Sequence, residues 1–267
     1  MKRFRLPILA MCLVVLFGIA WFARAAIRDL VYQVQQPTVP EPVVYQQTTS
    51  TQATNTKKVP PKALPKPVAT STKHLPAQVN LAVPFLLQAP THKWVQPYED
   101  ACEEASLIMI DAYYHGRKER YHEEDGNKVI LDLVEFETNM LGKHESTSAE
   151  ETARLAEAYF PGRRMSVIAP TSMEDIKQYL AQGIPVILPL YGKALNNPYF
   201  RNGGPVYHML VVKGYLPDGR FITNDPGIGK GPNYIYPAEV LWKAIHDWND
   251  GDVLHGAPKI IIMRSTQ

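Results

Sequence analysis

Apolar residues recur at helical spacing over residues 100–116. Those between Ala101 and Tyr113 lie three or four positions apart, so one stripe faces a core, and Gly116 supplies a stop signal. Cys102 falls in the first turn of this predicted helix. Unpaired backbone N–H groups and the positive end of the helix dipole stabilise a thiolate there. The position therefore suits a nucleophilic cysteine, although a single cysteine taken alone is more often a small buried residue of the core.

Strand patterns dominate the second half of the chain. A continuous apolar run at residues 184–191 predicts a buried strand, and residues 205–215 and 220–225 predict a hairpin. Helical patterns lie mostly before these strands, at residues 129–140, 148–159 and 171–183. Ser148 opens the second of these helices with a capping box. Helices followed by strands, with few alternations, predict the α+β class.

The N-terminal pattern predicts a membrane segment. Basic residues among the first five positions precede an uncharged apolar run over residues 6–23, long enough to cross most of a bilayer core. The positive flank stays in the cytoplasm, so we expect a single-pass protein of the cell membrane whose folded part is extracytoplasmic. Cleavage after Ala25 would instead release a secreted protein.

The composition changes after this segment. Pro, Thr, Gln and Lys dominate residues 35–78, a mixture that cannot bury enough apolar surface to fold by itself. A short strand is expected to open the folded part at residues 81–87, with Gln88 at its end. The sequence thus predicts a signal anchor at residues 1–25, a disordered linker at 26–79 and one domain at 80–267.

Charge and cysteine content narrow the class of function. The net charge of +2 is close to neutral and does not indicate nucleic-acid binding. The two cysteines, Cys12 and Cys102, lie in such different contexts that a disulfide between them is not expected. We therefore expect a free thiol at Cys102. We also expect a monomer, and hydrolysis by a thiol nucleophile requires no metal or organic cofactor.

A thiol nucleophile needs a base within reach, and the base needs a third group to orient it. His208 lies inside an apolar strand, where a histidine is costly without a partner, and Asp225 ends the next strand. Each residue taken alone is more often structural, as a satisfied core histidine or a turn aspartate. A simple hairpin register puts Asp225 on the opposite face from His208, so a bulge or a looser turn is needed. Asn224 is the alternative orienting residue.

The chain resembles the C39-like cysteine peptidases of the papain-like superfamily. The resemblance covers about residues 80–245 and is carried by residues 83–88, 100–106, 113–116, 183–188, 207–215 and 224–226. It implies a papain-like fold and hydrolysis of a peptide or protein substrate. It also implies the site residues, with Cys102 as nucleophile, His208 as general acid and base, Asp225 as its orienter and Gln88 as oxyanion-hole donor.

One departure from the family concerns the nucleophile. Many members have glycine directly after the cysteine, whereas this chain has Glu103, with Glu99, Asp100 and Glu104 in the same turn. These carboxylates favour the helix N-terminus but oppose a thiolate. Two alternatives to a protein-cleaving peptidase therefore stay open: a cell-wall peptide hydrolase or amidase, and a catalytically idle domain that binds peptides.

Overall fold

The computed structural model describes residues 23–24, 26–27, 29–32, 36–45 and 75–266. The chain divides into two compact units, Met1–Thr38 and Val39–Gln267. Most of the predicted anchor, residues 1–22, lies outside the described residues, as do residues 46–74 of the predicted linker. Within the part of the chain that is described, no helix has the length and apolar character to cross a membrane.

The second unit combines helices with one antiparallel sheet, which confirms the α+β class. Its helices are α1 (Cys102–Tyr114), α2 (Glu123–Leu141), α3 (Ala149–Tyr159), α4 (Met173–Ala181) and α5 (Ala238–Ala244). Its strands are β1 (Val79–Asn80), β2 (Arg163–Ile168), β3 (Val186–Tyr191), β4 (Tyr207–Tyr215), β5 (Phe221–Asn224), β6 (Tyr234–Tyr236) and β7 (Ile260–Ser265). The predicted capping box at Ser148 is present, because its hydroxyl accepts from the Glu151 amide and its own amide donates to the Glu151 carboxylate.

The seven-stranded sheet has the order β2-β7-β3-β4-β5-β6, and β1 pairs with β4. All nine residues of β4 are buried, and α1 packs against this strand. Its sequence is therefore a nearly continuous apolar run. Apart from tyrosines, its ionisable residues are His208 and Lys213. Packing of α1 on β4 brings the first turn of α1 close to the start of β4, where the amide of Met209 reaches the sulfur of Cys102.

A bulge interrupts the hairpin formed by β4 and β5. Val212 pairs with Thr223 and Gly214 pairs with Ile222, which leaves Lys213 as the extra residue. Because of this shift by one residue, the side chains at the end of β5 point to the opposite face of the sheet from the one they would have in a regular hairpin. The sequence required a bulge or a looser turn to bring Asp225 to the face of His208, and the structure contains the bulge.

Glycine is required next to the bulge. A Cβ on Gly214 would lie 2.1 Å from the carbonyl oxygen of Val79, because β1 pairs with β4 at this point. Any side chain there would push β1 away from the sheet.

The strand predicted at residues 81–87 is wrong beyond its first residue. Leu81 forms an isolated parallel bridge with Val43, and no strand follows it as far as Gln88. The side-chain amide of Asn224 donates to the carbonyl oxygens of Val83 and Pro84 at 3.0 and 3.1 Å. A side chain thus satisfies the backbone groups that a neighbouring strand would otherwise bind.

Residues 39–45, which the sequence assigned to the linker, pack on the domain. The Val43 amide donates to Asn80 O at 2.7 Å, and the Ala82 amide donates to Val43 O at 2.8 Å. The ring of Tyr45 contacts the rings of Tyr113 and Tyr114 edge-on, with centroids 5.6 and 4.8 Å apart. The domain therefore begins in sequence before residue 80.

Two carboxyl groups meet where α1 packs on α2. Glu104 and Glu137 are each 1% exposed, and no other described group donates to any of their four oxygens. Burial raises the pKa of both carboxyls, and the nearby charge of Glu137 raises that of Glu104 further. The folded pair therefore retains a proton that two separated carboxylates would release.

We expect Glu137→Gln to stabilise the protein at high pH. Folding raises both pKa values above 4.5, so the folded state binds more protons and its stability falls as the pH rises above that value. Replacing Glu137 removes one ionisable partner and should add roughly 1 kcal/mol to the free energy of unfolding at pH 8. The gain should shrink toward zero near pH 5.

The measurement is urea unfolding at pH 5 and pH 8, with Glu135→Gln as the matched control. Glu135 lies on the same helix but is exposed, so its replacement should leave the stability unchanged at both pH values. A gain for Glu137→Gln that is equal at the two pH values would contradict the shared-proton explanation.

Candidate active site

Cys102 opens α1 on the wall of a cleft of about 390 Å³. The cleft is lined by residues from the turn before α1, the segment that connects β3 to β4, and the loop after β5; they include Gln88, Trp94, Cys102, Phe200, His208 and Gly227. Cys102 is a free cysteine and is 5% exposed. The structure thus brings Cys102, His208 and Gln88 to one cavity.

His208 and Asp225 form a buried pair. The His208 Nε2 atom lies 2.8 Å from Asp225 Oδ1, and the two residues are 1% and 0% exposed. The ring of Phe200 meets the imidazole edge-on at 5.4 Å. Because Nε2 faces Asp225, Nδ1 is the ring nitrogen left for exchanging a proton with another group.

The alternative orienting residue, Asn224, points elsewhere. Its amide donates to backbone carbonyls of residues 83 and 84, and its Oδ1 accepts from the Asn233 amide at 3.3 Å. Consecutive residues of a strand face opposite sides, and the bulge assigns the His208 side to Asp225. The structure therefore brings Asp225, and not Asn224, to the imidazole.

A second layer of hydrogen bonds holds Asp225. The Tyr236 hydroxyl donates to its Oδ2 at 2.7 Å, and the Gly227 amide donates to its Oδ1 at 3.0 Å. Asn197 in turn donates to the Tyr236 hydroxyl at 2.5 Å. Sequence reasoning missed Tyr236 and Asn197, because a buried aromatic strand shows that a tyrosine is packed but not which group its hydroxyl reaches.

The Gly227 position has no room for a side chain. A Cβ there would lie 2.8 Å from the Cε1 atom of His208 and 3.1 Å from Cε1 of Phe200. The glycine thus allows the loop after β5 to close over the imidazole. The Asp225-Pro-Gly motif is typical of a turn, and here its glycine also leaves room for the imidazole of His208 at the cleft.

The thiol of Cys102 donates its hydrogen bond to Glu103 rather than to His208. The Cys102 Sγ atom lies 2.9 Å from Glu103 Oε2, and it accepts from the Met209 amide at 3.3 Å. Burial raises the pKa of the thiol, and the Glu103 charge and hydrogen bond raise it further. The Met209 hydrogen bond acts in the opposite direction. The resting cysteine is therefore a neutral thiol.

Glu103 is itself buried, at 2% exposure. Burial raises the pKa of its carboxyl to about 8, although the hydrogen bond from the thiol and one from the Thr147 amide at 3.2 Å both oppose the rise. A pKa in this range means that the carboxyl changes charge near neutral pH. The charge of the Glu103 carboxyl, which lies beside Cys102, therefore depends on the pH around the protein.

Gln88 lines the cleft but uses its amide to support the turn before α1. Its Nε2 group donates to the carbonyl oxygens of Tyr98 and Glu99 at 2.9 and 3.1 Å. Its Oε1 atom is buried and accepts from no group within the described residues. In this orientation the Gln88 side chain holds the turn that precedes Cys102, and neither of its amide hydrogens is free to bind an oxyanion.

The described residues contain no group of three or more His, Cys, Asp or Glu side chains placed to hold a metal ion. The acidic segment of residues 122–125 is not part of such a group. The cleft holds a thiol and an imidazole, the two kinds of group that nucleophilic attack by sulfur requires.

Comparison with known proteins places the chain in a family. The model of the Peptidase_C39 like family matches residues 80–249, more than half of the chain. No curated protein matches at a significant level. Among solved structures, a Bacillus anthracis protein described as a C39-like peptidase is 17% identical with a TM-score of 0.45, covering 70% of this chain and 98% of that one.

A fragment of prointerpain A from Prevotella intermedia is 13% identical with a TM-score of 0.44, and the match covers 70% of this chain and 72% of that one. The family model spans the cleft and every residue that the sequence selected for it, from Gln88 to Asp225. The chain belongs to the Peptidase_C39 like family.

Proposed function

We propose that the protein is a cysteine peptidase that hydrolyses a peptide bond with Cys102 as nucleophile and His208 as general acid and base. The observation that carries the proposal is the buried contact of His208 Nε2 with Asp225 Oδ1, in the same cleft as the free thiol. A histidine held by a carboxylate near a helix-opening cysteine has the parts that thiol catalysis requires.

In the proposed reaction, Nδ1 of His208 takes the proton of Cys102, and the thiolate attacks the carbonyl carbon of the substrate. The imidazolium then gives the proton to the leaving amine, and an acyl-enzyme forms. Water attacks the acyl-enzyme with His208 as base, which releases the acid and restores the thiol. Asp225 stabilises the imidazolium and fixes its orientation throughout.

The oxyanion needs donors that are aimed at the substrate oxygen. The backbone N–H of Cys102 is a first-turn group of α1, and such groups have no partner inside the helix. We propose Gln88 as the second donor, on the ground that its amide lies in the cleft. Substrate binding would have to draw one of its N–H groups away from the Tyr98 or Glu99 carbonyl.

Glu103 supports a resting state of low reactivity. Its carboxyl accepts the thiol hydrogen bond that a Cys–His pair would use, so Cys102 must turn toward His208 before it can react. The same observation favours a second candidate, a peptide-binding domain in which the thiol stays neutral. Reactivity of the thiol separates the two candidates.

The site of action rests on the sequence pattern. The basic, then apolar N-terminal stretch supports attachment to the cell membrane with the domain outside the cytoplasm, as a monomer acting on a peptide or protein. Fusion of the N-terminal stretch to a topology reporter in cells would test this location. A reporter that is active only in the cytoplasm would contradict it.

We expect His208→Ala to abolish peptide hydrolysis. Loss of the base leaves the neutral thiol without a proton acceptor, and the rate should fall about a thousandfold or more. The assay is mass-spectrometric detection of cleaved products in a peptide library, with Cys102→Ala as the inactive reference. His255→Ala, an exposed histidine outside the cleft, should keep full activity.

If the wild-type protein cleaves no peptide and no thiol-directed acyl probe labels Cys102, the peptidase proposal fails. Binding of library peptides by such an unreactive protein would establish the peptide-binding domain instead.

We expect Glu103→Gln to make the thiol more reactive. The change keeps the shape of the side chain but removes the charge that raises the pKa of Cys102. Alkylation by iodoacetamide at pH 8 should accelerate roughly tenfold, equivalent to a pKa lower by about one unit. The rate is followed against pH by mass spectrometry.

Glu99→Gln is the matched control, because Glu99 lines the same cleft and does not contact the thiol. Equal acceleration by both substitutions would show that general cleft charge controls the thiol. An unchanged rate in Glu103→Gln would remove Glu103 from the account of the resting state.

A further inference from the structure

A second groove, of about 400 Å³, lies beside the bulge of the β4–β5 hairpin. Asn224 lines it, and Asn224 faces away from His208, so the groove is separate from the catalytic cleft. Three basic residues line it, Lys118, Arg120 and Lys213, and we call it the cationic groove. No Asp or Glu is among its lining residues.

Lys213 is unusual in being a buried lysine. It is 4% exposed, and its Nζ donates to Asn233 Oδ1 at 2.8 Å. Burial lowers the pKa of its ammonium group to about 8. A neutral amide oxygen does not balance the charge of a buried ammonium, so the group is more stable when an anion joins it.

Lys118 and Arg120 lie at the rim, on the segment between α1 and α2. Both are exposed, and Arg120 lies over the ring of Phe85 at 5.8 Å. Within the described part of the chain, Lys118, Arg120 and Lys213 form no ion pair with a carboxylate. The three positive charges thus face a common space without an acidic partner.

Some basic side chains elsewhere in the domain are paired with carboxylates. Arg163, with 5% of its side chain exposed, meets Asp111 at 2.6 Å, and Lys259 meets Glu150 at 2.7 Å. The largely buried guanidinium of Arg163 is thus balanced by a carboxylate. Among the described residues, no carboxylate forms an ion pair with Lys213, whose ammonium group donates to the Asn233 amide oxygen.

We propose that the cationic groove binds a phosphate-bearing group. A phosphate carries more than one negative charge and several acceptor oxygens, which suits a groove lined by three cations better than a single carboxylate does. The group belongs either to a soluble phosphate compound or to the headgroup of an anionic lipid. Pro42 and Val44 form part of the wall, so the groove is complete only while residues 39–45 pack on the domain.

The test is chemical labelling of lysines in the full-length chain, with acetylation at each lysine measured by mass spectrometry. Acetylating reagents attack the neutral amine, and a bound anion raises the pKa of a lysine and lowers its neutral fraction. Inorganic phosphate at millimolar concentration should slow acetylation of Lys118 and Lys213 by about threefold or more. Lys243, exposed on α5 and outside the groove, is the internal control and should not change.

A second arm distinguishes the source of the phosphate. The full-length chain is placed in vesicles of phosphatidylcholine alone or with added phosphatidylglycerol, without free phosphate. Protection of Lys118 and Lys213 by phosphatidylglycerol assigns the site to a lipid headgroup, and protection by inorganic phosphate alone assigns it to a soluble compound. Arg120→Gln should weaken either protection, because the rim charge is removed while the buried lysine is kept.

The proposal is overturned if neither probe protects the two lysines, or if Lys243 is protected to the same extent. Either result can be obtained whether or not the protein is a peptidase, because the experiment measures acetylation at the groove and involves no residue of the catalytic cleft.

Discussion

The contact between His208 and Asp225 depends on one extra residue in the central strand of the sheet. In a regular β4–β5 hairpin, Asp225 would face away from His208, because the side chains of a strand alternate. The bulge at Lys213 reverses this phase, and the two groups meet at 2.8 Å. Every catalytic role that we propose for the imidazole rests on this local change of register.

The same bulge has consequences on the other side of the sheet. It directs Asn224 to the carbonyls of residues 83 and 84, which replaces a strand partner with a side chain. It also leaves Lys213 buried beside the cationic groove. One backbone irregularity therefore supports both the contact of His208 with Asp225 and the proposed phosphate site.

Charge at the start of α1 opposes the helix dipole. The dipole and first-turn N–H groups favour a thiolate at Cys102, but burial and Glu103 raise the pKa of the thiol, and the balance is a neutral sulfur. Glu104 and Glu137 extend this buried acidic region toward α2. The charge beside the sulfur thus depends on whether Glu103 holds a proton, and burial raises the pKa of that carboxyl to about 8.

The sequence by itself determined the helices α1 to α4, the strands β3 to β5 and the candidates for the site. Helical spacing, the capping box at Ser148 and the apolar runs of β3 and β4 are local signals, and the structure retains them. The sequence also named Cys102, His208 and Asp225 as candidates, because a helix-opening cysteine, a histidine inside an apolar strand and an aspartate that ends the next strand are an uncommon combination. The tertiary structure decided the rest, since contacts between distant segments have no period in the sequence. Only the packed fold shows that Glu103 takes the thiol hydrogen bond, that Gln88 supports the turn before α1, that Tyr236 holds Asp225, and that residues 39–45 belong to the domain.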